Sequence, residues 1–154
     1  MKHNEKRRSV LKNIGMGMAG IFGLATVKAA SPKSKKEVVG KIVEDQNMPL
    51  FSGAVRHGNT LYIAGKGAHF DGDIKAHTDH VLNELQKELE RNGSSMEQVL
   101  KVNVYLADLA DYSKMNEVYR GRFGENPPVR TTVATYGGVP GNSLVEIDCI
   151  AAVD

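Results

Sequence analysis

The chain has 154 residues, 41% hydrophobic and 25% charged, the proportions of one soluble globular domain. A single cysteine, Cys149, leaves no internal disulfide and no cysteine-built zinc site, and 6% aromatics with no tryptophan make a base-stacking surface a poor fit. Six of the 20 basic residues but one of the 18 acidic ones fall within residues 1–30, so the rest carries 14 against 17, a net −3, which argues against electrostatic nucleic-acid binding.

Residues 1–12 are basic and polar, residues 13–27 are apolar but diluted by Gly15, Gly17, Gly20 and Gly23, and Ala29-Ala30-Ser31 offers small residues for a signal peptidase. The apolar run is shorter than the ~20 residues that span a bilayer. Arg7-Arg8-Ser9-Val10-Leu11-Lys12 resembles the twin-arginine export motif, with Val10 where Phe is commoner. A Sec-type signal and an uncleaved anchor are the alternatives, and the lack of a cysteine after the run excludes a bacterial lipoprotein. The expectation is a signal peptide over 1–30, cleaved near Ala29-Ala30-Ser31, a solvated linker over 31–36 and a folded domain over 37–154. That domain would be periplasmic or exported, with no membrane attachment after cleavage.

In the folded part, Val38, Val39, Ile42 and Val43 predict a first strand over 37–45, interrupted by Gly40. Residues 53–56 and 60–64 flank His57-Gly58-Asn59 and predict a hairpin, with a loop over 65–73. Val81, Leu82, Leu85 and Leu89 make one stripe of a helix over 77–92, stopped by Gly93. Ser94-Ser95-Met96-Glu97 has capping-box spacing and predicts a brief helical turn. A strand over 99–107 and a second amphipathic helix over 112–123 follow, the latter burying Met115, Val118 and Tyr119. Pro127-Pro128 bars further helix, and two strands, 130–136 and 144–153, close the chain around a glycine-rich connection. The order is α+β: a sheet with two helices on one face, whose uncovered face invites self-association.

Three constellations could carry chemistry. His77 and His80, with His69 nearby, have a metal-ligand look but lack a third ligand, and the alternative is a solvated helix start. Cys149 in the last strand is either a nucleophile or, among Ile147, Ile150 and Ala151, a packing side chain. The third is Arg130, fixed by the preceding Pro127-Pro128, with Glu146 in the next strand and beside it if those two strands pair. A guanidinium grips a carboxylate through two parallel hydrogen bonds, and a carboxylate in the same pocket can deprotonate water. A purely structural Arg130–Glu146 ion pair is the alternative.

Gly124-Glu125-Asn126-Pro127-Pro128-Val129-Arg130-Thr131-Thr132-Val133 and Leu144-Val145-Glu146-Ile147-Asp148-Cys149-Ile150-Ala151 closely resemble the signature of the reactive-intermediate (enamine/imine) deaminase family, RidA-like. Val81-Leu82-Asn83-Glu84-Leu85, Gly93-Ser94-Ser95, Val102-Asn103-Val104-Tyr105-Leu106-Ala107-Asp108-Leu109 and Met115-Asn116-Glu117-Val118-Tyr119 continue the register, so the likeness covers residues 51–152. The resemblance implies a chorismate-mutase-like single domain, homotrimeric, with clefts between subunits. It implies that Arg130 binds a substrate carboxylate, that Glu146 positions the attacking water, and that Thr132 lines the cleft. The products would be a 2-keto acid and ammonia, formed without metal or organic cofactor. Phe51 stands where the family usually has Tyr, and Ala64-Gly65-Lys66 where it has Ser-Gly-Gln. Phe51 and Lys66 are therefore expected as substrate-binding residues of altered chemistry. The function alternatives are a hydrolytic deaminase or an exported protein that binds a small carboxylate without turnover.

Overall fold

Backbone constraints decide where the N-terminal strands break. The computed structural model describes residues 34–154. The expected signal peptide lies outside the described residues. So do residues 31–33 of the expected linker, and Lys36 at its other end already pairs with His57. The single strand expected over 37–45 is two strands, β1 (Lys36–Val38) and β2 (Ile42–Asp45). Gly40 between them lies so close to Ala54 that an added Cβ would overlap its backbone nitrogen and sit 2.9 Å from its Cβ. Gln46 and Asn47 then both take positive φ, 49° and 62°, and this two-residue turn returns the chain as β3 (Met48–Ser52). β3 was not expected, since Pro49 sits inside it, and it pairs with β2 in a separate two-stranded sheet.

The expected hairpin is β4 (Ala54–His57) and β5 (Thr60–Gly67), turning at Gly58. β5 runs on through Gly65-Lys66-Gly67, predicted as loop, because a bulge between Ile63 and Lys66 lets it stay paired. Helix α1 (Ile74–Arg91) starts three residues before the predicted position, capped by Asp73, whose side chain accepts from the Ala76 amide. The capping box does not form: Ser95 starts the short 3-10 turn without a side-chain bond, and Ser94 donates to the Ala152 carbonyl at 2.7 Å. Strand β6 (Val99–Leu106) leads to α2 (Tyr112–Tyr119), which ends four residues before the predicted Phe123 as Arg120 leaves helical geometry and Gly121 takes φ 79°. β7 (Val129–Ala134) and β8 (Val145–Ala152) complete a six-stranded sheet in the order β1-β4-β5-β8-β6-β7.

The expected α+β domain is therefore present. α1 packs on β5, on β8 and on α2, and the core between them includes Leu82, Leu85, Leu89, Val102, Val104, Leu106 and Ile147. β6 and β7 are parallel, with α2 in the crossover, whereas β8 lies antiparallel on the far side of β6. Along β8, Val145, Ile147, Cys149 and Ala151 are buried under the helices, and the alternating Glu146, Asp148 and Ile150 point to the other face. That second face carries exposed apolar side chains, among them Val38, Tyr62, Val129 and Val133.

Candidate functional site

Arg130 sits second in β7, the edge strand, directly after the stiff Pro127-Pro128. It pairs with Val102 of β6, whose side chain is buried under the helices, so the guanidinium turns towards α2. There its Nη1 donates to Asn116 Oδ1 at 2.9 Å and its Nη2 to the Tyr112 hydroxyl at 3.2 Å. Its Cζ lies 4.6 Å from the Tyr119 ring centre and 5.7 Å from that of Tyr112. Tyr112, Asn116 and Tyr119 are spaced i, i+4, i+7, so one face of α2 forms the whole cradle. Among the described residues Arg130 has no carboxylate partner, which leaves a half-buried cation held only by neutral groups. Two hydroxyls nearby, Tyr119 Oη and Thr132 Oγ1, are buried without a hydrogen-bond partner among the described residues. Burial pushes the Tyr119 phenol up to about 12 against the opposing pull of Arg130, so it stays a donor. The cradle has the chemistry of an anion site with further polar groups waiting for a partner.

Glu146 lies on the opposite face. With Tyr105, Thr135, Val139, Pro140 and Asp148 it lines a cavity of about 260 Å³. Its carboxylate rests directly over Gly65 at the β5 bulge, where an added Cβ would overlap it. Asp148 is engaged, accepting from Asn103 Nδ2 at 2.8 Å and from the Tyr105 hydroxyl at 3.2 Å. Burial first, then the charges of Asp148 and Glu146, raise the Tyr105 phenol above its ordinary value. Glu146 makes no side-chain hydrogen bond or ion pair among the described residues, so its lone pairs are free for a ligand or water.

The condition for Glu146 to lie beside Arg130, that β7 and β8 pair, is not met, because β6 lies between them. Arg130 and Glu146 are two strand spacings of about 4.8 Å apart across the sheet and about three residues of ~3.4 Å apart along it. They also face opposite ways. The structural ion pair between them is excluded, and so is a site that uses both from one chain.

The other predicted residues fall as follows. Thr132 is two residues past Arg130 on the same face. Phe51 is 51% exposed on β3, in the small sheet. Lys66 is directed to the helix side, where its ammonium pairs with Glu88 of α1 at 3.4 Å, so it is not in the Glu146 cavity. Glu88 also takes Arg91 at 3.0 Å. His77 is 2% exposed, contrary to the expected solvated helix start, and both its ring nitrogens are used by backbone groups rather than left for a metal. His80 packs edge-on against Phe70. Cys149 packs in the core, its thiol pushed up to about 12 by burial and then by Asp148. Tyr112, Asn116, Tyr105 and Gly65 were not singled out as site residues from the sequence. The polar i, i+4, i+7 stripe on α2 was the available signal for the first two.

Comparison with known proteins gives the following. The pattern of the Endoribonuclease L-PSP family matches residues 41–153. The chain is similar to a RutC family protein of Pyrococcus horikoshii, 41% identical over 125 residues, 75% of this chain and 97% of that one. It is similar also to the 2-iminobutanoate/2-iminopropanoate deaminase of Dermatophagoides farinae, 27% identical over 128 residues, 79% of this chain and 99% of that one. Among solved structures it is similar to a YjgF family member of Mycobacterium tuberculosis, with a TM-score of 0.67 and 27% identity over 77% of this chain and 100% of that one.

Proposed function

Given that the chain belongs to the Endoribonuclease L-PSP family, we propose that it hydrolyses small 2-imino and enamino acids to 2-keto acids and ammonia, at sites completed between the chains of a homotrimer. The observation that carries this reading is the Arg130 cradle: a fixed, half-buried guanidinium with no anionic partner among the described residues. Two of its five N–H groups are used by Asn116 and Tyr112, which leaves three for a carboxylate. The Dermatophagoides farinae relative's name supplies the substrate class. Because Arg130 and Glu146 face opposite ways, a catalytic pair needs Arg130 from one chain and Glu146 from another. The uncovered sheet face, with Val38, Tyr62, Val129 and Val133 exposed among its polar groups, is the natural surface for that assembly.

In this reading Arg130 holds the substrate carboxylate and Thr132, two residues on along the same face of β7, lines the cleft. Glu146 takes a proton from water as the water oxygen bonds to the imine carbon and the C=N electrons move to nitrogen. Glu146 then returns that proton to nitrogen. The carbinolamine's hydroxyl proton is then passed to that nitrogen as the C–N bond breaks and the C=O forms, so ammonia leaves and the keto acid remains. Nothing is oxidised or reduced, so the residues themselves suffice. The proposal includes export by the twin-arginine motif Arg7-Arg8, with cleavage near Ala30. Intact mass of the protein recovered from its native compartment should show the chain without residues 1–30; a full-length mass there would remove export with cleavage.

One observation favours a protein that binds without turnover: among the described residues Glu146 has no side-chain partner to aim it, so the water-handling half is less organised than the carboxylate-binding half. Calorimetry with 2-keto acids, run beside ammonia release from an imine generated in the assay, separates the two. The deaminase reading expects both a binding heat and accelerated ammonia release. Heat without acceleration selects the binder, and neither would end both readings.

A further inference from the structure

We infer that His77 is a positioning residue for Glu146, acting through the backbone of the 135–144 connection. This rests on the proposed role of Glu146 and names a residue of α1, the helix packed on β8, that controls its aim. The connection carries three glycines at positive φ, Gly137, Gly138 and Gly141, and Asn142 at φ 60°, so its own backbone preferences do not hold it in one shape. Yet Val139 and Pro140 wall the Glu146 cavity, and Leu144 stands two residues before Glu146 itself. Thr135 holds the first turn of the connection through the Gly138 backbone, and groups outside the connection hold the end that leads into β8.

The clip comes from the first turn of α1. His77 Nε2 donates to the Phe70 carbonyl at 2.9 Å, and its Nδ1 accepts from the Leu144 N–H at 3.1 Å. The ring is 2% exposed and packs edge-on against Phe70, with centroids 4.9 Å apart. Making both bonds at once demands a bare Nδ1 and a protonated Nε2, the neutral Nε2–H tautomer. Ser143 fastens the same place, accepting from the Ala68 N–H at 2.9 Å and donating to the Val145 carbonyl at 2.6 Å. His69 Nδ1 stands 3.3 Å from the Gly141 carbonyl. The buried imidazole thus ties two glycine-rich loops together at the entrance to β8. The Leu144 carbonyl is held separately by the Ala107 N–H at 3.0 Å, so loss of the His77 tie loosens the amide side of the strand start that carries Glu146.

The test uses the full chain with His77→Leu and His77→Gln, read by hydrogen exchange at the Leu144 amide, by His77 ring 15N shifts in the parent, and by steady-state kinetics. Leucine fills the space but bonds to neither loop. Glutamine offers an amide N–H for Phe70 and an amide oxygen for Leu144. His77→Leu is expected to speed Leu144 exchange by at least about 10-fold and to lower kcat by about 10- to 100-fold, with KM within about threefold because the carboxylate grip lies elsewhere. His77→Gln is expected to restore both, and the parent ring shifts to report the Nε2–H tautomer. A folded leucine variant with parental exchange and kcat would overturn the inference. So would a glutamine variant that folds but restores neither readout. Should the leucine variant fail to fold, the glutamine variant alone decides. A parent that releases no ammonia would remove the deaminase reading, while exchange at Leu144 still judges the clip separately.

Discussion

Replacing Arg130 with alanine is expected to lower kcat/KM for imine hydrolysis by at least about 100-fold, because a two-point, charge-assisted grip on a carboxylate is worth about 3 kcal/mol. The effect on folding should be small. Among the described residues the guanidinium has only neutral partners, Asn116, Tyr112 and the ring of Tyr119, so its removal strands no buried counter-charge there. Arg130→Lys sharpens the test. An ammonium keeps the charge but has neither the planar fork nor the flat face that stacks on Tyr119, so lysine should recover less than a tenth of the lost activity. Binding of a 2-keto acid, followed by calorimetry, should weaken in parallel. If Arg130→Ala retains parental kcat/KM, the carboxylate does not bind here and the proposed function goes with it.

The elements were legible in the sequence because their signals are local. The leucine stripe of α1, the Pro127-Pro128 stop and the His57-Gly58-Asn59 turn each predicted an element that is present. What failed was long-range. β7 and β8 are neighbours in sequence but not in space, because the α2 crossover lays β7 parallel to β6 and sends β8 to the other side. The length of the β6–α2–β7 segment was a usable hint, since parallel strands need such a crossover. His77 was misjudged for a related reason. Extending the α1 stripe back from Val81 by 3.6-residue steps reaches 77, 78 and 74, all buried, but the helix start was placed one turn too late. The bulge that turns Lys66 towards Glu88 and seats Glu146 over Gly65 leaves no mark that periodicity can detect.

The second large effect is expected at that bulge. Glu146→Gln keeps the shape but removes the base, so kcat should fall by about 100- to 10,000-fold with KM little changed. Gly65→Ala reaches the same carboxylate from beneath. Its Cβ would overlap the Glu146 carboxylate and sit 2.8 Å from its Cγ, so the whole side chain must turn to another rotamer, carrying the carboxylate away. Gly65 is not among the residues with positive φ, and alanine there also reduces the freedom of the unfolded chain, so the variant should melt no lower than the parent. A carboxylate misplaced by about 1 Å should cost about 100-fold in kcat. If Gly65 acts only by seating Glu146, adding Gly65→Ala to Glu146→Gln should cost less than about threefold more, since the base it would misplace is already gone. Independent losses that multiply would mean that Gly65 serves the reaction by another route, through the bulge backbone itself. A parental kcat in Glu146→Gln would instead remove Glu146 from water activation.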